Sequence, residues 1–220
     1  MSGTSYTASA IDEAGLKQPV PIHPINATII SILGVAWALF QLLLPSILIV
    51  NSITARSIHL GFAVAIGFLG FPSISRSLFE FISPLRGLKP FKWLIRLSLA
   101  GLAGGSALYL MLDWEGIALR SGLPSTLDYI FWFIIIIVLL ESIRRSIGIA
   151  LPLIAVGFSI YVFYAPYFPS FMAFRAVSLT KYVTQLSLST EGIFGIPLRV
   201  SVSVVYLFVL FGSLLEKAGA

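Results

Sequence analysis

The sequence has no cysteine and few charged side chains. The lack of cysteine excludes a disulfide framework and any metal site built on thiolates. Charged residues make up only 10% of the 220 residues, whereas an ordinary soluble domain has about 25%. Because so few charges cannot cover a globule of this length with a polar surface, we expect the chain to lie in a lipid bilayer.

The sequence also lacks the motifs that would indicate an enzyme or a cofactor site. It has no His, Asp and Glu spaced as zinc ligands, no serine in a nucleophile elbow and no glycine-rich loop leading to Lys-Ser or Lys-Thr for ATP. The net charge of +5 is spread between apolar runs rather than gathered on one basic, aromatic-rich surface. We therefore expect no enzymatic activity, no metal, no cofactor and no nucleic-acid partner.

Long apolar runs are what the sequence has instead. A helix that crosses a bilayer needs about 20 mostly apolar residues, because the hydrocarbon core is about 30 Å thick and each residue rises about 1.5 Å. Segment 127–143 meets this requirement only if Asp128 and Glu141 lie at the two interfaces. The predicted fold is an all-α integral membrane protein with about six transmembrane helices, over 27–50, 57–71, 93–112, 127–143, 147–164 and 196–215.

Residues 172–190 show a different pattern. Apolar side chains recur at steps of three and four, from Met172 through Val183 to Leu186, and polar side chains fall on the other side. The length and the polar face predict an amphipathic helix that lies in the membrane interface rather than crossing the bilayer.

The distribution of basic residues predicts the orientation. Residues 1–26 are polar and contain no apolar core of a signal peptide, so we interpret them as a cytoplasmic N-terminal tail. With this tail inside, nine of the 14 lysines and arginines fall on the inner side. Cytoplasmic loops are enriched in these residues, so the bias supports a cytoplasmic N-terminus.

Two local patterns indicate helix contacts. Gly101 and Gly105 are four residues apart, a spacing that lets two membrane helices approach closely. Glu141 has Arg144 and Arg145 at the third and fourth following positions, the favourable order for ion pairs on a helix. We expect these three charges to anchor a helix end at the cytoplasmic interface, or to contact another subunit or domain.

An intramembrane enzyme is the weakest alternative. Ionisable groups inside a membrane are functional candidates, and the sequence offers Asp113, Glu115, Asp128 and His59 near proposed span ends. A lone histidine near a helix end is more typical of packing, and the pair Asp113 and Glu115 is more typical of a solvated loop. The enzymatic hypothesis therefore requires all four side chains to converge in one cavity.

Several blocks resemble a family of transport proteins. They are LESIRRSIGIALPLIAVGFSIYVFY (140–164), LSLSTEGIFGIPLRVSVSVVYLFVLFGSLLEKAGA (186–220), ALFQLLLPS (38–46), RSIHLGFAVAIGFLGFP (56–72) and PSTLDY (124–129). Together they resemble the fused permeases of tripartite ATP-independent periplasmic (TRAP) transporters, of the 4TM/12TM type that works with TAXI-type binding proteins. The resemblance covers most of residues 28–220 in order.

The resemblance implies a membrane permease component of a sodium-driven secondary transporter in the cell inner membrane. Such a permease receives its solute from a periplasmic solute-binding protein and imports organic acids or amino acids, such as C4-dicarboxylates and glutamate. Residues 27–146 would form the four-helix, small-subunit-like domain. Residues 147–220 would be the truncated start of the large subunit, with scaffold helices and the 172–190 helix as a scaffold arm.

Solute and sodium sites of this family lie in re-entrant hairpins further along the chain, as transporters commonly build them. Substrate-binding residues are therefore expected beyond residue 220, and the remainder of the large subunit is an expected partner. On this reading residues 1–220 are an incomplete N-terminal part that inserts into the bilayer but transports nothing alone. The alternative is a stand-alone, non-transporting small subunit or scaffold that partners a separate large permease subunit.

Overall fold

The computed structural model describes residues 24–70, 91–120 and 122–219, and the regular secondary structure of these residues is entirely helical. The all-α prediction is thereby confirmed for the described ranges. The helices are α1 (Pro24–Leu43), α2 (Ser52–Gly70), α3 (Phe91–Leu112), α4 (Trp114–Leu119), α5 (Thr126–Ser146), α6 (Ala150–Tyr164, continued by a 3-10 turn over Ala165–Tyr167), α7 (Leu179–Ser187) and α8 (Ile196–Ala218).

Within the described ranges, four helices are long and apolar enough to cross a membrane, namely α2, α5, α6 with its 3-10 turn, and α8. They indicate a membrane protein, as predicted. The other two predicted spans correspond to α1 and α3, whose apolar stretches Ala27–Leu43 and Ala100–Leu112 are shorter. Six crossings therefore stay a prediction, and residues 1–23 of the predicted cytoplasmic tail lie outside the described residues.

The first predicted span, 27–50, is too long. Helix α1 ends at Leu43 and is followed by a turn, in which the N–H groups of Ile47 and Leu48 both donate to Leu43 O. Pro45 explains this end, because its ring has no N–H to donate and disfavours helical geometry in the residue before it. Pro45 thus terminates the helix, whereas a kink within a longer helix would have kept residues 46–50 helical.

Helix α5 owes its start to a capping box at Ser125. Ser125 Oγ accepts a hydrogen bond from Asp128 N at 3.3 Å, and Asp128 Oδ2 accepts one from Ser125 N at 2.7 Å. This reciprocal pair satisfies two backbone donors that the first helical turn leaves open. The predicted span 127–143 is therefore part of one helix of 21 residues, with Asp128 in its first turn.

The predicted amphipathic helix over 172–190 is wrong in length. The structure has a helix only over Leu179–Ser187, nine residues long. Ser178 explains the late start, because its side chain accepts a hydrogen bond from Lys181 N and caps the helix there. The amphipathic character is retained, with Val183 and Ser187 buried and Lys181 exposed.

Helices α2 and α3 form the most extensive helix contact of the described residues. A Cβ atom on Gly61 would lie 3.5 Å from Gly104 O, and one on Gly104 would lie 3.7 Å from Gly61 O, so two glycine backbones meet here. The predicted pair Gly101 and Gly105 is exposed, and a Cβ atom added to either glycine would meet no atom of the described residues within 4 Å. The pair therefore does not mediate this contact, and its role in helix packing stays a prediction.

Cysteine labelling can distinguish six crossings from four, because the chain has no native thiol. We expect Ser46→Cys and Leu123→Cys to react with a membrane-impermeant maleimide on intact cells, and Ile147→Cys and Lys217→Cys only after permeabilisation. All four positions are exposed. If only the four long helices cross, position 46 should be labelled only after permeabilisation, whereas position 123 should still be labelled on intact cells. Labelling of 147 and 217 on intact cells would contradict the orientation.

Candidate functional site

A buried histidine joins three helices. Trp37 Nε1 on α1 donates to His59 Nδ1 on α2 at 3.2 Å, and His59 Nε2 lies 3.1 Å from Ser201 Oγ on α8. Because an indole N–H can only donate, Nδ1 is the acceptor and the neutral imidazole carries its proton on Nε2. His59 therefore donates to Ser201. We call Trp37, Gln41, His59 and Ser201 the histidine cluster.

The histidine cluster includes the first residue of an irregular turn of α8. Ser201–Val205 is π-helical, with the N–H of Tyr206 donating to Ser201 O. Gln41, which is 1% exposed, donates from Nε2 to Val202 O at 2.6 Å. A side chain that enters the backbone hydrogen-bond ladder is a known cause of such distortion, and π turns are frequent at functional sites. Gln41 therefore accounts for the place of the irregularity in α8.

Sequence reasoning found only His59 in this cluster. Gln41 and Ser201 lie within apolar runs, and a polar side chain at such a position was the available signal. The sequence SVSVV (201–205) has no pattern that would predict the π turn, because we attribute the turn to Gln41, a side chain 161 positions away from Val202.

A second group of polar residues surrounds Asp128, whose side chain is 1% exposed. Asp128 accepts hydrogen bonds from Tyr109 Oη at 2.5 Å and from Arg120 Nε and a terminal guanidinium nitrogen at 3.0 and 2.9 Å. Arg120 also pairs with Asp113, which is 41% exposed. We call Tyr109, Asp113, Arg120 and Asp128 the aspartate cluster. It ties the α4 segment to the ends of α3 and α5.

Electrostatics keep Arg120 charged. Its hydrogen bonds to Asp128, and to a smaller extent its hydrogen bond to Asp113, raise the pKa of Arg120 above its ordinary value.

Arg120 and Asp128 line a cavity of about 20 Å³ together with Thr184 of α7, whose buried Oγ1 has no partner among the described residues. A cavity of this volume holds about one water molecule, so it is no site for an organic substrate.

The other end of α5 carries the charges predicted to pair. Arg144 Nε and Arg145 Nε donate to the two carboxylate oxygens of Glu141, each at 2.7 Å. The guanidinium of Arg145 lies 4.4 Å above the ring of Phe68 on α2, so the ion pairs also hold α5 against its neighbour. That this end lies on the cytoplasmic side stays a prediction.

The ionisable residues of the enzymatic hypothesis are divided between different surroundings. Asp113 and Asp128 meet on Arg120, whereas His59 has Trp37 and Ser201 as partners and Glu115 is exposed. Asp128 lines the cavity described above, but neither His59 nor Glu115 does. Across residues 24–70, 91–120 and 122–219, no three His, Asp or Glu side chains are grouped so that they could hold a metal ion.

A scan against protein-family models, a search of curated proteins and a search of solved structures each find no match to this chain.

Proposed function

We propose that this chain is a membrane scaffold component of a TRAP-type secondary transporter that imports organic acids or related solutes. The transporter would lie in the inner membrane and use sodium as its coupling ion. A periplasmic solute-binding protein would deliver the solute to it. The proposal rests on the resemblance of the sequence blocks and on the way in which the helices carrying them are joined. It assigns the solute and sodium ligands to the remainder of the large subunit.

The observation that carries the proposal is the set of interior hydrogen bonds between 27–146 and 147–219. Gln41 donates to Val202 O, Arg56 donates to Phe194 O at 2.5 Å, and His59 bonds Ser201. Each bond joins residues more than 130 positions apart in the sequence. Broken hydrogen bonds between helices are unfavourable in lipid, where no water replaces the lost partner. Such bonds would hold the proposed small-subunit-like part and the proposed scaffold helices together as one body.

Helix α7 is attached in a way that suits a rigid arm at the membrane interface. Tyr182 Oη donates to Ser159 Oγ on α6 at 2.7 Å, and Tyr129 Oη of α5 lies 2.9 Å from Thr180 Oγ1. Trp132 adds an edge-on ring contact with Tyr182. These contacts hold the amphipathic helix against two apolar helices, so a moving domain beside it would meet a fixed surface.

Uptake measurements test the proposal. In cells that lack the gene, we expect sodium-dependent uptake of at least one labelled C4-dicarboxylate or amino acid to be lost, and the wild-type gene to restore it. Gln41→Leu and Ser201→Ala should restore less uptake at equal membrane abundance, because they break the interior bonds. Ser203→Ala is the matched control, since this exposed hydroxyl donates to Arg199 O in its own helix and has no other partner among the described residues. Unchanged sodium-dependent uptake of every tested acid in the deletion strain would contradict the proposal.

The intact mass of the tagged, membrane-extracted product separates the two forms of the proposal. A product heavier than a 220-residue chain indicates a fused permease. A product of this length that co-purifies with a separate large permease subunit indicates the stand-alone small subunit. Both forms of the proposal require that sodium-dependent uptake is lost in the deletion strain and restored by the wild-type gene.

A further inference from the structure

Arg56 is a buried cation without a counter-ion among the described residues. Its side chain is at the start of α2, and the residue is 7% exposed. One terminal nitrogen donates to Phe194 O at 2.5 Å, while Nε is buried with no hydrogen-bond partner. The ion pairs found in the described residues involve only Arg120, Arg144 and Arg145. An uncompensated buried charge is costly, more so beside lipid.

A second arginine makes this position more positive. Arg199 lies in the first turn of α8, in the segment Ile196–Val200 that packs against α2, the helix that carries Arg56. It is exposed and belongs to none of the ion pairs found in the described residues. Two like charges held together in a membrane protein are stabilised when an anion lies between them.

No acidic side chain of the described residues is within ion-pair distance of Arg56 or Arg199. The ion pairs found among these residues join Asp113 and Asp128 to Arg120, and Glu141 to Arg144 and Arg145. The missing negative charge must therefore come from another molecule or from residues that the structure does not describe.

The surroundings indicate which anion fits. Arg56 and Arg199 lie near the starts of two apolar helices, where the polar headgroups of a bilayer would be. Ile196 and Val200 next to Arg199 are exposed apolar side chains, 74% and 43%, that suit contact with acyl chains. Arginine forks match phosphate oxygens in geometry and bind them with strong, charge-assisted hydrogen bonds.

We propose that Arg56 and Arg199 together bind a phosphate group, supplied by a phospholipid headgroup or by free inorganic phosphate. This site is independent of the proposed transport function and would exist in a scaffold of any membrane complex. A bound phosphate would link α2 to α8 beside the histidine cluster.

The test uses the full chain, purified in detergent and stripped of lipid. Native mass spectrometry with phosphatidylglycerol should give an apparent Kd that rises about tenfold in Arg199→Gln and in Arg56→Gln, the loss expected for one charge-assisted hydrogen bond. Arg175→Gln is the control, because Arg175 is also exposed and outside the ion pairs of the described part. Its Kd should be unchanged. If Arg56→Gln does not fold, the exposed Arg199→Gln still decides.

A second titration with inorganic phosphate alone identifies the source of the group. Thermal stabilisation of the wild type, but not of Arg199→Gln, by phosphate would support a free anion as ligand. Selective binding of phosphatidylglycerol with no effect of phosphate would support a lipid headgroup. The proposal is overturned if Arg199→Gln binds both ligands as the wild type does, or if Arg175→Gln loses as much affinity, since general positive charge would then explain binding.

Discussion

Replacing Asp128 with alanine should destabilise the protein by about 3 kcal/mol, the cost of removing one partner from a buried ion pair. The carboxylate is almost completely buried and accepts hydrogen bonds from Tyr109, Arg120 and the backbone N–H of Ser125. The alanine variant leaves Tyr109 Oη and the N–H of Ser125 without this acceptor, and it leaves Arg120 with Asp113 as its only carboxylate among the described residues. It also removes the carboxylate half of the capping box of α5. SDS titration in mixed micelles, followed by tryptophan fluorescence, measures the change in the free energy of unfolding.

Asp113→Asn provides the matched control for Asp128→Ala. It changes a carboxylate on the same Arg120, but this side chain is 41% exposed and bonds only Arg120 among the described residues. An exposed ion pair contributes at most about 1 kcal/mol, so the loss should be clearly smaller. Equal losses in the two variants would contradict the larger contribution that burial gives to Asp128.

Features set by neighbouring residues could be predicted from the sequence. The apolar runs predicted helices because a membrane helix satisfies its own backbone hydrogen bonds within one segment. The ion pairs of Glu141 follow from spacing on a helix, which is fixed by helical geometry. Pro45 and Ser178 are local signals as well, and both changed helix bounds. Their effect could have been predicted, by giving the proline and the cap more weight than the apolar pattern.

Features set by distant residues could not be predicted in the same way. Gln41 meets Val202 across 161 positions, and Arg56 meets Phe194 across 138. No local pattern states which polar residue of one apolar run faces which carbonyl of another. The same holds for Gly104, because the spacing of Gly101 and Gly105 marks a face with small residues but does not say which face meets α2. The carbonyl that Gln41 meets and the glycine that faces α2 are both determined by how the helices pack against one another.

The close approach of α2 and α3 leads to the other large expected effect. Gly61→Leu should destabilise the protein by about 3 kcal/mol, at the upper end of the cost of overpacking. Its Cβ would lie 3.5 Å from Gly104 O and 3.8 Å from two Leu108 atoms, so the further atoms of leucine have no space unless the helices separate. Gly61→Ala should be neutral or stabilising by up to about 1 kcal/mol, because its single methyl makes ordinary contact and alanine favours the helix. The same SDS titration measures both variants.

Gly101→Leu separates this contact from a contact with a second chain. Gly101 has open space within the described structure, so the substitution should leave the unfolding free energy of the monomer unchanged or slightly raise it. If Gly101 and Gly105 pack against another chain, a close approach that their spacing allows, Gly101→Leu should shift the size-exclusion elution toward a smaller species, whereas Gly61→Ala should not. A large loss of monomer stability in Gly101→Leu, together with full tolerance of Gly61→Leu, would mean that α3 presents Gly101 rather than Gly104 to α2.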